Sequence, residues 1–201
     1  SDDYEITNVR VSRIDEGKEL FLNEVYEQQY HVTSGCFYGL RINSEEFEIA
    51  WNVGLDNSSD TRCYKMYYTV KDVIKKYDDC SELYWQFLSD NNGMPGSNVT
   101  GRVRLPNKVS NMDNLRVWGH GNYTAEIYKE GPDLVVFSCP EVFSNEMLEI
   151  RIVVEDNDMF PLSTNKYAMK KIDSILKEEQ RWADEANRAR ELAKNEAKIM
   201  V

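Results

Sequence analysis

From Tyr4 to about Glu155, apolar side chains recur at every second position in short runs, and no stretch among them has the length or spacing of a crossover helix. Period-two alternation sends one face of a segment into a core and leaves the other in water. Strand following strand without intervening helices requires antiparallel pairing, because parallel neighbours need long crossovers. Phe47, Ile49, Trp51 and Val53 alternate with Glu46, Glu48, Ala50 and Asn52; Tyr64, Met66, Tyr68 and Val70 alternate with Lys65, Tyr67, Thr69 and Lys71. The intervening Asp56-Asn57-Ser58-Ser59-Asp60 has turn chemistry, so the two runs read as a hairpin.

The same grammar continues along the chain. Val99, Val103 and Leu105 oppose Thr100, Arg102 and Arg104 until Pro106 ends the ladder, and Leu148, Ile150, Ile152 and Val154 form a last run. Tyr123–Tyr128 and Leu134–Ser138 flank a second turn, Lys129-Glu130-Gly131-Pro132-Asp133. Tyr4 and Ile6 are out of phase with Val9 and Val11, so a β-bulge near Thr7 and Asn8 is needed to turn both pairs inward. The segment around Leu83, Trp85 and Phe87 suits either a strand or a short helical turn, and Ser89–Asn98 reads as an exposed loop. The expected fold is mainly β, an antiparallel β-sandwich of immunoglobulin-like or jelly-roll-like type over residues 1–160.

After Pro161 the pattern changes. Ser163 and Thr164 offer N-cap chemistry, and Lys166 to Met200 contains neither Gly nor Pro, which predicts a long C-terminal α-helix within 161–201. Met169, Ile172, Leu176, Ala183, Ala186 and Leu192 or Ala193 supply a narrow apolar stripe, enough for the first half to pack on the sandwich while the second extends as a polar stalk. Residues 1–165 hold 15 basic and 28 acidic side chains, whereas 166–201 hold 9 and 7. The helix is therefore electrostatically distinct from the acidic body.

The net charge of −11 repels polyphosphate and argues against nucleic acid as a partner. No apolar run approaches the roughly 20 residues of a membrane-spanning helix. The opening Ser1-Asp2-Asp3 suits a chain that follows a removed export signal. Cys36, Cys63, Cys80 and Cys139 are widely spaced and without neighbouring His ligands, so no structural metal site or other cofactor is expected; two disulfides or four buried thiols both remain open.

Few residues carry chemistry. His31 and His120 are the two histidines; glycines flank His120, which reads as a hydrogen-bonded turn residue or, less simply, a catalytic base. Asp78 and Asp79 are adjacent, so on a strand they face apart, and capping or an exposed turn suits them better than paired acid–base work. Glu155-Asp156-Asn157-Asp158 lacks the spacing of a calcium loop. Tyr64, Tyr67, Tyr68, Tyr84, Trp85 and Trp118 serve either as core or as a platform for a sugar or peptide. No nucleophile elbow or phosphate-cradling loop is present.

Several segments in order resemble a bacterial family of predicted membrane proteins whose extracytoplasmic region is a domain of unknown function, number 2207. They are Tyr4-Glu5-Ile6-Thr7-Asn8, Tyr77-Asp78-Asp79 with Glu82-Leu83-Tyr84-Trp85, Leu105-Pro106, Gly119-His120-Gly121, and the helical Glu178-Glu179-Gln180-Arg181 to Asn187-Arg188-Ala189-Arg190. The chain departs from the pattern between Gly35 and Trp51, where the family's longer segment is shortened. The resemblance implies an export signal, this domain, then transmembrane helices beyond the helix, and hence a non-enzymatic extracytoplasmic domain for protein contact or sensing at the cell envelope. The alternative is a glycan- or peptide-binding module, with Tyr84, Trp85, Trp118 and His120 as its ligand-binding residues.

Overall fold

The computed structural model describes residues 4–29, 35–42, 47–52, 61–90, 93, 95–156 and 159–199, with side chains in the helix through Arg188 and at Leu192. Among the described residues the chain is mainly β, with several antiparallel sheets and one α-helix, at the C-terminal end. It divides into two compact units, Ser1–Val73 and Ile74–Val201. The second unit holds both the later strands and the helix, and residues 165–169 pair with Lys76 ahead of it.

The first unit holds β1 (Glu5–Asp15), β2 (Lys18–Phe21), β3 (Asn23–Glu24), β4 (Cys36–Arg41), β5 (Phe47–Trp51) and β6 (Cys63–Lys71), in sheets ordered β2-β1-β6 and β3-β4-β5. Pairing is antiparallel except for the two-residue match of β3 with β4. The bulge is where the sequence required it. The β1–β6 register shifts between Thr7 and Arg10, Asn8 adopts φ 55°, and Ile6 and Val11 then oppose Val70 and Met66. The expected hairpin is not formed by its two runs: β5 pairs with β4 and β6 with β1, while the Trp51 and Tyr64 rings lie 5.7 Å apart. Alternation identifies a strand but not its partner. The turn Asp56–Asp60 lies outside the described residues.

In the second unit, β7 (Ile74–Lys76), β8 (Ser81–Leu88), β10 (Leu115–Gly121) and β13 (Leu148–Val154) form a sheet ordered β10-β13-β8-β7, and β9 (Gly96–Arg104), β11 (Glu126–Gly131) and β12 (Leu134–Val142) a second ordered β11-β12-β9. The two sheets share one core of Leu115, Val135, Phe137, Leu148, Ile150, Ile152 and their neighbours. Each fully buried side chain of that size contributes roughly 1.5–3 kcal/mol. Gly101 is the seat of the Phe137 ring, since a Cβ there would lie 1.9 Å from it. The segment 81–88 resolves as strand, and β11 and β12 make the expected hairpin.

β13 is buried on both faces, which its sequence encodes as an unbroken apolar and charged run. Leu148, Ile150, Ile152 and Val154 enter the sandwich core, and Val153 packs beneath α1 (Ile172–Ile199) with Cys80 and Ile175. The helix begins later than Lys166. Residues 165–169 first run beside β7, with Lys76 donating from its backbone N to Asn165 O and Tyr167 N donating to Lys76 O. Neither Ser163 nor Thr164 caps the helix. Asp79, from the β7–β8 connection, accepts from the backbone N of Lys171 at 2.8 Å and of Ile172 at 3.4 Å.

The face that α1 turns to the sheet also differs from the apolar stripe expected. Ile175 and Glu179 are buried and Ile172, Leu176, Trp182 and Ala186 half-buried, while Ala183 and Met169, the latter ahead of the helix, are exposed. A buried glutamate at the centre of that face explains the shift, because hydropathy counting assigns Glu179 to solvent.

Candidate functional site

Register lines up three strands beneath α1. His120 of β10 opposes Glu149 of β13, and the next row on the same face is Trp118, Arg151 and Tyr84 of β8. Glu82 stands one step further along β8, and α1 lowers Glu178, Glu179 and Trp182 onto the rows.

Arg151 is the hub. Its Nε donates to Glu82 Oε1 at 2.6 Å, and its Nη1 donates to Glu178 Oε2 at 2.7 Å and to Glu179 Oε1 at 2.9 Å. The Tyr77 hydroxyl donates to Glu82 Oε2 at 3.1 Å, and the Tyr84 ring lies under the guanidinium at 5.0 Å. The side chains of Arg151, Glu82 and Glu179 are each about 95% removed from water, with exposures of 4%, 4% and 5%. Burial of that depth is tolerated only because the guanidinium spreads its donors over three carboxylates.

His120 completes the cluster. Its Nε2 is 2.9 Å from Glu179 Oε2, and its Nδ1 is 3.4 Å from Glu149 Oε1, within ion-pair range though without hydrogen-bond alignment. Tyr84 and Trp182 meet its ring edgewise, with centroids 5.8 and 5.1 Å away. Burial works against the charged ring, but the carboxylates of Glu149 and Glu179 outweigh it and raise the imidazole to about 9. The same contact, together with the Tyr84 hydroxyl, holds Glu149 below the usual carboxylate range, whereas burial and Glu149 push the Tyr84 phenol up.

His120 therefore lies in a strand and not in the turn anticipated for it. The flanking glycines have a specific reason at one position: Gly121 adopts φ 105°, and a Cβ there would lie 2.1 Å from Met147 O. A ring protonated to about pH 9 offers no lone pair at neutral pH, so the arrangement acts as a clamp between strand and helix.

Beside the clamp opens a cleft of about 570 Å³, with Tyr84, Trp118, His120, Tyr123 and Trp182 among its walls and Glu149 and Glu179 at its polar end. Of the four residues singled out from sequence, the structure brings Tyr84, Trp118 and His120 together. Trp85 is excluded: it opposes Ile150 and so lies on the face turned from α1. Tyr64, Tyr67 and Tyr68 belong to β6 of the first unit. Sequence reasoning missed Arg151, Glu82, Glu149, Glu179, Tyr123 and Trp182. The available signal was a lone Trp three residues after Glu179, in a helix whose apolar stripe beyond that point is mostly alanine.

Asp78 and Asp79 do not form an acid–base pair; Asp79 caps α1, and the Asp78 backbone N donates to Met169 O. Glu155 pairs with Arg116 at 2.6 Å, while Asn157, Asp158 and His31 lie outside the described residues. All four cysteines are free thiols, three of them buried and Cys63 exposed. Burial and the adjacent Asp79 push the Cys80 thiol up to about 12.

No helix among the described residues is long and apolar enough to cross a membrane. Neither a curated protein nor a solved structure matches the chain significantly. A family profile does match, over residues 2–154, so the strands carrying Glu82, His120 and Arg151 lie inside the match and α1 with Glu178, Glu179 and Trp182 lies beyond it. That match covers most of the chain, which belongs to the family described as the N-terminal domain of predicted membrane proteins, DUF2207.

Proposed function

We propose that the chain is a non-enzymatic, extracytoplasmic domain of a membrane-anchored protein, serving protein contact or sensing at the cell envelope. Family membership supports the anchoring. The observation that carries the reading is the clamp: Glu179 of α1 is tied to Arg151 and His120 through buried ion pairs, and Glu178 reaches Arg151 from the partly exposed rim. The first turns of the helix and the sheet must then move as one body, and a load on the sandwich passes into the helix.

Protease accessibility in intact spheroplasts of a strain expressing the full-length protein tests the address. Digestion of this domain from outside is expected, and digestion only after permeabilisation overturns the proposal.

The cleft favours a second reading, a ligand-binding module. Three aromatic side chains from two strands and the helix, Tyr84, Trp118 and Trp182, converge on one concavity of about 570 Å³, within the size range of small-ligand sites. Sugars stack on such rings, and peptides insert side chains between them.

A further inference from the structure

We propose that the cleft between α1 and the β10-β13-β8-β7 sheet binds an organic cation, an alkylammonium or guanidinium group held between the Trp182, Tyr84 and Trp118 rings and the carboxylate end marked by Glu149. This rests on the second reading, that the cleft holds a ligand, and adds its chemistry.

Two independent observations select a positive guest. The first is the charge count. Glu82, Glu149, Glu178 and Glu179 place four carboxylates around the site, against three cations, Arg151, His120 and Lys75, the last opposite Glu82 in the strand register. The cluster therefore keeps an excess of negative charge with His120 protonated. Arg151 is spent on Glu82, Glu178 and Glu179, and Glu149 faces His120, at 3.4 Å, and the Tyr84 hydroxyl. Glu149 also keeps 19% of its side chain exposed, where the three core members of the cluster keep about 5%. Of the two carboxylates that line the cleft, Glu149 and Glu179, it is the one that a guest can reach.

The second observation is the wall. Aromatic faces carry negative quadrupole charge and attract a desolvated cation, most strongly Trp. Trp182 and Trp118 line the cleft together with Tyr84 and the exposed Tyr123, and Ala183 and Ala186 leave the helix side open instead of filling it. A neutral sugar would gain from the rings but leave the excess charge unanswered. An anion would be repelled by it. A methylated or primary ammonium satisfies both walls.

The test titrates the whole 201-residue chain with choline and with its uncharged isostere 3,3-dimethylbutan-1-ol, following the indole N–H resonances of Trp118, Trp182 and Trp85. Choline is expected to bind about tenfold more tightly than the isostere, to move Trp118 and Trp182, and to leave Trp85 in place. Trp182→Ala and Glu149→Gln should each weaken choline about three- to tenfold without changing the far-ultraviolet circular dichroism. N-acetyl-lysine methylamide and N-acetyl-arginine methylamide form a further arm: tighter binding than choline identifies a basic side chain of a protein as the source, and weaker binding identifies a free small ammonium. Equal binding of choline and the isostere overturns the cation and leaves a ligand cleft standing. Silence of Trp118 and Trp182 toward every probe overturns both.

Discussion

Arg151 Nη1 lies 2.9 Å from Glu179 Oε1 with both side chains about 95% buried, so a strand and a helix separated by 28 residues share one desolvated ion pair. Removing one member leaves the other charged and dry, and that asymmetry governs what substitution does. Arg151→Ala should destabilise the chain by about 3–5 kcal/mol, read from urea unfolding. A loss under about 1 kcal/mol would mean that water enters the cluster freely.

The imidazole sets a pH window of the opposite sense to acid denaturation. Its folded value, about 9, lies above the ordinary 6.5, so its contribution is fully present below about pH 6.5 and is lost as pH rises through about 9. The difference is on the order of 3 kcal/mol, and the lowered Glu149 reports the same contact and adds nothing separate. Unfolding free energies of the parent chain and His120→Gln should differ most at pH 6 and converge near pH 10. A gap constant across that range would show the ring neutral throughout.

Two glycines flank His120, and only one is required. Gly121→Ala meets Met147 O at 2.1 Å in a left-handed backbone and should cost about 1–3 kcal/mol from conformation alone, with the clash added to it. Gly119→Ala places its methyl 3.4 Å from Ile127 Cγ2, an ordinary contact, and should stay within about 1 kcal/mol. Equal effects in thermal unfolding would contradict the geometry.

Asp79 and Lys171 are 92 residues apart, yet the first caps the helix that the second opens. Asp79→Ala should cost about 0.5–2 kcal/mol and speed amide exchange at Ile172–Leu176, with exchange in β13 unchanged. Exchange rising uniformly instead would point to global loss and not to an end-cap.

Much of the β architecture was legible because alternation is a local signal. The bulge at Thr7–Asn8 could be read from a change of phase, and the β11–β12 hairpin from its turn residues. The pairing of β5 and β6 was not, since which strands meet depends on contacts distant in sequence. His120, Tyr84 and Trp118 stood out by type and reached the cleft, whereas Trp85, chosen on the same ground, sits one residue from Tyr84 and so on the other face. Arg151 and Glu179 were invisible for a physical reason: inside alternating or helical patterns a charge reads as solvent-facing, and only the partner, strands away, reveals that it is buried.

β13 ends at Val154, but Glu178, Glu179 and the apolar cover of its outer side arrive with α1. On a ribosome adding about 5–20 residues per second, the interval from Arg151 to Glu179 lasts roughly 1–6 seconds. During it Arg151 has Glu82 of β8 as its partner but lacks Glu178 and Glu179, and the face that carries Trp118 and Val153 is without its cover. The opening turns of the helix thus decide when the newborn domain becomes self-sufficient, and a truncation at the end of the last strand would hold it permanently in that unfinished condition.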